Sequence, residues 1–482
     1  MRKHILIILS IVFLGLTACT EDTLDKINKD RQHPSPDAVP AYFQLSEAIM
    51  STGFSTVSGD YAFYLASLNE QEIGVGNNQL MKAELRNSNE WAASTTFNNV
   101  WNSTYSNLLN IREIIRKITT EVPGNIGQYD LLGMAQVLEA LNFGILTDLH
   151  GDIPYSEALQ GQANLQPKLD AQKDVYAGIL STLDAAIANF EKGKTLKSAG
   201  KQDIAFAGDI NQWKATAYAL KARYLLHKLA VEPSVLAQVE ANAQEAANLD
   251  FKGFTIREFN GVTADNPWSA FVWSRSYTAS SLTVANIMKA TNDPRLTYYT
   301  KETGKAYEPG DEKTAQVADG SLAFPAWYDL GSQPLHLFSK SELYFILAEA
   351  QLRLDKDATA AFQTAIETSV NEILELFDDD TSASEFAKSL GTPTLRKLFE
   401  QKYVAQSYDE QVETYNDLRR LKAMGETYVV LTNPMNTQGG LNRYPERLPY
   451  GNSAVIGNPN IKTAYGDGTY IYSQKTWINN KE

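Results

Sequence analysis

Beyond residue 40, apolar positions recur every three or four residues over most of the chain, the spacing of helices that bury one face. Trp101, Tyr105, Leu108, Arg112, Ile115 and Ile118 form one such stripe. Leu131, Leu132, Ala135, Leu138, Ile145, Leu146 and Leu149 form a second, interrupted by Asn142. Tyr176, Ile179, Leu180, Leu183, Ile187 and Phe190 form a third, with Gly193 placed to end it. Residues 213–230 are apolar on nearly every side, which predicts a helix at the centre of the fold. Ser339 and Glu342 read as a capping box ahead of Leu343, Ile346, Leu347, Ala350 and Leu354 on one face. Thr392 and Pro393 suit the cap and first position of a long helix running toward Met424.

The predicted helices fall into pairs. Residues 341–354 and 358–376 have the length and the alanine-aromatic texture of a tetratricopeptide unit, and 213–230 with 234–249 make another. Two further candidate pairs lie upstream. The period is irregular, so the fold class is mostly α: a tetratricopeptide-like helical-repeat scaffold with long, irregular, loop-rich insertions. Those insertions are 251–337 and 425–482, rich in Gly, Pro, Asn and aromatics, and loops of that length are usually functional or interfacial.

The first residues change the picture of where the protein goes. Arg2, Lys3 and His4 precede an apolar run at 5–16, of signal-peptide length and short for a bilayer span. Leu16-Thr17-Ala18-Cys19 then resembles a bacterial lipobox, with Cys19 the only cysteine of the chain. Acylation of Cys19, with palmitate-type chains, removes a thiol that would otherwise be a liability after export. The expected organisation is a signal peptide at 1–18, a lipid-anchored polar tether at 19–40 containing Pro34, Pro36 and Pro40, and one helical domain at 41–482. Thr20-Glu21-Asp22 resembles an acidic tag that directs lipoproteins to the cell exterior.

Composition narrows the function. The net charge is −14 and no basic cluster occurs, which argues against nucleic-acid binding. Aromatics are abundant, with 24 Tyr, 19 Phe and 7 Trp, so ligand platforms are well supplied. There is no Walker A loop, no GxSxG elbow, no HExxH and no CxxC pair. The five histidines are scattered, and His227, in an apolar helix, reads as a core residue. Asp378-Asp379-Asp380 lacks the glycine and distal glutamate of a calcium loop. No enzyme activity, metal or cofactor is expected.

Six motifs occur in order behind the lipobox. They are LTDLHGDIPYSEAL at 146–159, DINQWK at 209–214 running into LKAR at 220–223, DPRL at 293–296, FILAEA at 345–350, QKY at 401–403 with DLRR at 417–420, and RLPY at 447–450. Together they resemble the signatures of SusD/RagB nutrient-binding outer-membrane lipoproteins; Gly451 departs from the proline usual after the last. Locally, Gly151 is suited to end a helix, Ile153 before Pro154 is held extended, and Arg419-Arg420 beside Asp417 suggests an ion pair. These motifs read as structural.

The resemblance implies a lid on a SusC-like, TonB-dependent outer-membrane transporter, facing the cell exterior and delivering captured oligomers for import. Glycans are the favoured ligand, because sugar C–H faces stack on rings while Asn, Asp and Arg bond hydroxyls. Peptides are the rival ligand, and a surface glycoside hydrolase is the reading from another class. Ligand contacts are sought where aromatics sit among polar residues outside the helical stripes. That selects Asn77, Asn78, Asn89 and Trp91 in one stretch, and Trp273, Arg275 and Tyr277 with Trp327 and Tyr328 in the other.

Overall fold

The computed structural model describes residues 36–76, 78–86, 93–317 and 320–480. The signal peptide and the lipobox lie outside the described residues. The chain enters through α1 (Leu45–Ser51), a π-helical turn (Thr52–Ser58) and α2 (Gly59–Leu68), followed by α3 (Gln79–Glu84). Four long helices come next: α4 (Asn98–Thr119), α5 (Tyr129–His150), α6 (Gln172–Gly193) and α7 (Ile210–His227). Each packs against its successor, and α7 packs on α8 (Leu236–Asn248). The periodicities above predict these helices to within a few residues.

The stack then leaves and returns. α8 packs on α13 (Lys340–Arg353), which pairs with α14 (Thr359–Leu376), although some ninety residues separate α8 from α13 in sequence. The intervening segment, expected to be irregular, is folded. It carries α9 (Pro267–Arg275), α10 (Leu282–Thr291), α11 (Leu296–Tyr299) and α12 (Glu312–Ala315). It also supplies three of four short strands: β1 (Glu72–Gly74) pairs antiparallel with β3 (Thr278–Ser280), and β2 (Phe254–Ile256) with β4 (Leu335–Phe338). Trp268, Val272, Met288, Tyr299, Trp327 and Tyr328 give this excursion a core of its own, shared with Phe63 of α2 and Tyr403. Aromatics that mark loops in a sequence reading here mark a second core.

The long helix expected from Thr392 is two helices. Thr394, not Thr392, caps α16 (Leu395–Gln406), after α15 (Ala383–Ser389), and a break at 407–410 precedes α17 (Gln411–Met424). The break turns Asp409 and Glu410 inward: Asp409 accepts from the His336 backbone and ring, and Glu410 from the amide and hydroxyl of Ser339. Helices α18 (Asn452–Gly457) and α19 (Pro459–Tyr465) lie in the C-terminal segment.

The family-like motifs supply buried ion pairs and hydrogen bonds between elements. Arg223 of α7 donates from Nε to Glu342 Oε1 at 2.8 Å and from Nη2 to Oε2, with Glu413 of α17 at 3.7 Å. Glu342 therefore serves Arg223, and only the Ser339 half of the expected capping box forms, with Ser339 Oγ accepting from Glu342 N at 3.0 Å. Arg420 is bidentate to Glu349 at 2.6 and 2.8 Å and meets Asp417 at 2.7 Å, as the sequence suggests for Asp417. Arg419 instead donates to backbone carbonyls of Asp148 and Glu446. Arg295 forks onto Asp293 within the DPRL turn. Gly151, at φ +79°, ends α5 where a Cβ would lie 2.2 Å from the Arg447 guanidinium. These residues hold helices to each other; none of them faces a cleft.

His227 adjoins the Arg223 cluster, with Nδ1 3.2 Å from Asp148 and Nε2 2.9 Å from Glu413. Burial alone would lower its pKa, but the two carboxylates push it up to about 9. Asp148, His227 and Glu413 thus form a fully buried cluster of two carboxylates and an imidazole, and His227 lies in the core as read from the sequence.

Candidate ligand-binding cleft

A cleft of about 640 Å³ opens between α2, α3, the residues leading into α4, and α9. Its geometry follows from two local devices. The β1–β3 ladder, with Glu72 opposite Ser280 and Gly74 opposite Thr278, clamps the segment after α2 to the segment after α9. Ser276 caps α9 in the left-handed conformation, at φ +52°, so the chain turns sharply and both Arg275 and Tyr277 line the opening.

The cleft wall combines rings and polar groups. Phe63 stacks on Phe271 with centroids 4.1 Å apart and planes 16° apart, and Tyr277 meets Phe271 edge-on at 6.1 Å. Tyr64, Gln79, Lys82, Thr95, Thr96 and Asn99 complete the polar lining. Asp60 and Arg275 have no hydrogen-bond or ion partner within the described protein, although both line the cleft. Asp60 is largely buried, and that desolvation raises its pKa. A half-buried carboxylate left without a donor is ready to accept hydrogen bonds from a ligand, and Arg275 is ready to give them.

The sequence candidates divide. Arg275 and Tyr277 line the cleft. Asn77, Asn89 and Trp91 lie outside the described residues. Trp273 is 45 % exposed but does not line the cleft; its ring lies against Gly331. Three candidates are corrected. Asn78 is a helix cap, its Oδ1 accepting from Leu80 N at 2.8 Å and its amide spent on Val75 O. Trp327 and Tyr328 are each 1 % exposed; Tyr328 stacks on Trp268 and donates to Glu72. They hold the second core and meet no solvent. Conversely, Asp60, Phe63, Tyr64 and Phe271 were missed: no helix was expected at 59–68, and Phe271 was passed over in a segment read as irregular. The available signal was Asp60 itself, the lone charge in the otherwise apolar stretch 59–68.

Glu72 of β1 ties the ladder to the second core. It is fully buried and bonded by Thr278 and Tyr328, and burial raises its pKa to about 7 against the lowering effect of those bonds.

A family model described as starch-binding and associating with the outer membrane matches residues 47–451. The chain belongs to this SusD-like family. A solved SusD/RagB family protein from Bacteroides thetaiotaomicron is 31 % identical, superposes with a TM-score of 0.81, and covers 92 % of this chain and 100 % of its own. A chitin-binding protein at 21 % identity (TM-score 0.71, covering 92 % and 100 %) and a chitin-binding SusD homolog from Flavobacterium johnsoniae at 18 % (0.69, covering 91 % and 99 %) share the fold. No curated protein matches the chain. SusD-like proteins are binding proteins associated with the outer membrane, and their fold is the tetratricopeptide-like helical one described above. No described helix of this SusD-like chain is long and apolar enough to cross a membrane.

Proposed function

We propose that this protein is a lipoprotein of the outer-membrane surface, anchored through Cys19 and the tether at 19–40. It captures oligomeric nutrients, glycans first, and passes them to a SusC-like TonB-dependent transporter without chemistry of its own. The domain at 41–482 is the capturing unit. One observation carries the reading: the cleft sets the Phe63–Phe271–Tyr277 rings beside Asp60 and Arg275, two charged groups with no partner among the described residues. Rings that take a sugar face, with an acceptor and a donor flanking them, suit a polyhydroxylated chain. The starch-binding description of the family and the chitin-binding relatives support the same ligand class. Arg275 and Tyr277 are the proposed contacts that line the cleft; Asn77, Asn89 and Trp91 are proposed from the sequence, as is Trp273, which would meet a ligand only beyond the cleft wall.

The opposite charges of Asp60 and Arg275 also favour a second reading, capture of a peptide bearing both charges. Binding of the full chain to maltooligosaccharides, chitin oligosaccharides and a mixed peptide library separates the two. Saccharide binding with no peptide binding is the expected result; peptide binding alone would replace glycan capture with peptide capture. Native purification in mild detergent should also recover a far larger barrel protein, and its repeated absence would remove the delivery step.

A further inference from the structure

A second opening of about 560 Å³ lies between α1, the π-helical turn and α4, and its lining is almost wholly uncharged and polar. Along α4, Asn99 lines the cleft while Ser103, Ser106 and Asn110 line the groove. Spaced three and four residues apart, these side chains share one helix face, so the polar stripe runs without interruption from one site to the other. The opposite wall does the same in the reverse direction: Ser51 and Ser55 face the groove, and Asp60 and Tyr64 face the cleft. Asn99 and Ser103 are separated by only ~6 Å along the helix axis.

A buried hydrogen-bond network lies behind the groove and reaches it through Asn107. Asn142 of α5 donates to Thr52 Oγ1 at 2.9 Å and accepts from Thr56 at 2.7 Å, and Thr56 meets Thr104 at 3.1 Å. Asn107, 4 % exposed and lining the groove, donates to Ala48 O and Thr52 Oγ1, while its Oδ1 has no partner. A buried carbonyl oxygen without a donor is costly, and a ligand hydroxyl arriving through the groove would satisfy it. Among the described residues the hydroxyls of Ser51, Ser55, Ser103 and Ser106 have no hydrogen-bond partner. Phe43, 50 % exposed, is the one ring at the rim.

We propose that this groove is an extension subsite, taking the continuing chain of the neutral, hydroxyl-rich oligomer whose other end occupies the cleft. The inference rests on the cleft being the capture site. Peptides are disfavoured as occupants: the groove has no strand edge for main-chain pairing, no apolar trough for side chains and no cluster of basic residues. Hydroxyls matched to hydroxyls are what the lining offers.

The test is affinity against chain length. Chitin and maltose oligosaccharide series, from disaccharide to octasaccharide, are titrated into the full chain, Ser106→Arg, Asn107→Leu and Tyr277→Ala. Wild type should gain about tenfold or more in affinity once the oligomer outgrows the cleft. Ser106→Arg, on an exposed position, should erase that gain and leave the shortest ligands bound as in wild type; Asn107→Leu should reduce it. Tyr277→Ala should weaken every length. No length gain in wild type, or a gain untouched by Ser106→Arg, overturns the extension subsite while leaving the cleft standing. A wild-type chain that binds neither series overturns both readings. Groove variants that reduce recovery of the transporter but not sugar affinity would reassign the groove to protein docking and overturn the proposal.

Discussion

Replacing Arg223 by methionine is expected to cost about 3–5 kcal/mol of stability, the usual penalty for removing one partner of a buried ion pair. Arg223 is 2 % exposed, its guanidinium lies over the Phe338 ring at 4.1 Å, and it is the cation between Glu342 and Glu413. Its loss leaves Glu342 buried with no paired cation among the described residues, next to the Glu410–Ser339 contact. Burial pushes the Glu413 pKa up, but Arg223 and His227 hold it down to about 2. A depressed carboxylate pKa stabilises the fold above the unfolded value near ~4.3, and that contribution is lost as pH falls toward 2. In the variant, protonation of the stranded acids relieves their desolvation. The deficit relative to wild type should therefore be greatest near pH 7 and shrink at pH ~4. Urea unfolding at both pH values measures it; an equal deficit at both would show that lost packing, not stranded charge, is the cause. Pairing Arg223→Met with Glu342→Leu should recover much of the loss, because an apolar pair of similar volume needs no partner.

The second large effect is on location. Cys19→Ala should abolish lipid attachment, so the protein should leave the outer-membrane fraction and appear, if exported at all, as a soluble form. The size of the effect follows from the anchor: each buried CH₂ contributes ~0.8 kcal/mol, and two or more acyl chains hold almost permanently. No described helix offers a substitute anchor. Fractionation with acyl labelling reads the result. Recovery of Cys19→Ala in the outer membrane at the wild-type level would defeat the anchor, and full protection of the wild-type protein from protease on intact cells would defeat its outward orientation.

The fold was more legible than the site, for a physical reason. A helix that buries one face repeats its apolar positions every 3.6 residues, so the stripes at Trp101, Leu131 and Tyr176 announce α4, α5 and α6. Arg223, Arg420 and Asp417 sit in motifs because several helices must meet around them, and those motifs therefore report packing. The cleft has no such period. Its members come from α2, α3, the approach to α4 and α9, and only folding brings Asp60 near Arg275. Choosing aromatics outside helical stripes found Tyr277 but also selected Trp327 and Tyr328, because an excursion with its own core needs rings too. Phe63 and Phe271 were hidden because no periodic stripe marked α2 or α9, the two helices that stack these rings on each other at the cleft.

The most direct test of the central claim is calorimetric titration of the saccharide bound by wild type into the Arg275→Ala/Tyr277→Ala double variant. Arg275 is exposed and Tyr277 packs only at the margin of the second core, so the double variant should still unfold cooperatively, with a small loss of stability at most. Loss of one stacking ring costs ~0.5–1.5 kcal/mol beyond its area, and loss of a charged hydrogen bond roughly 1.5–3. The double variant is thus expected to bind at least ~30-fold more weakly. A folded double variant that binds the saccharide as tightly as wild type would contradict the account, because capture would then lie outside the cleft.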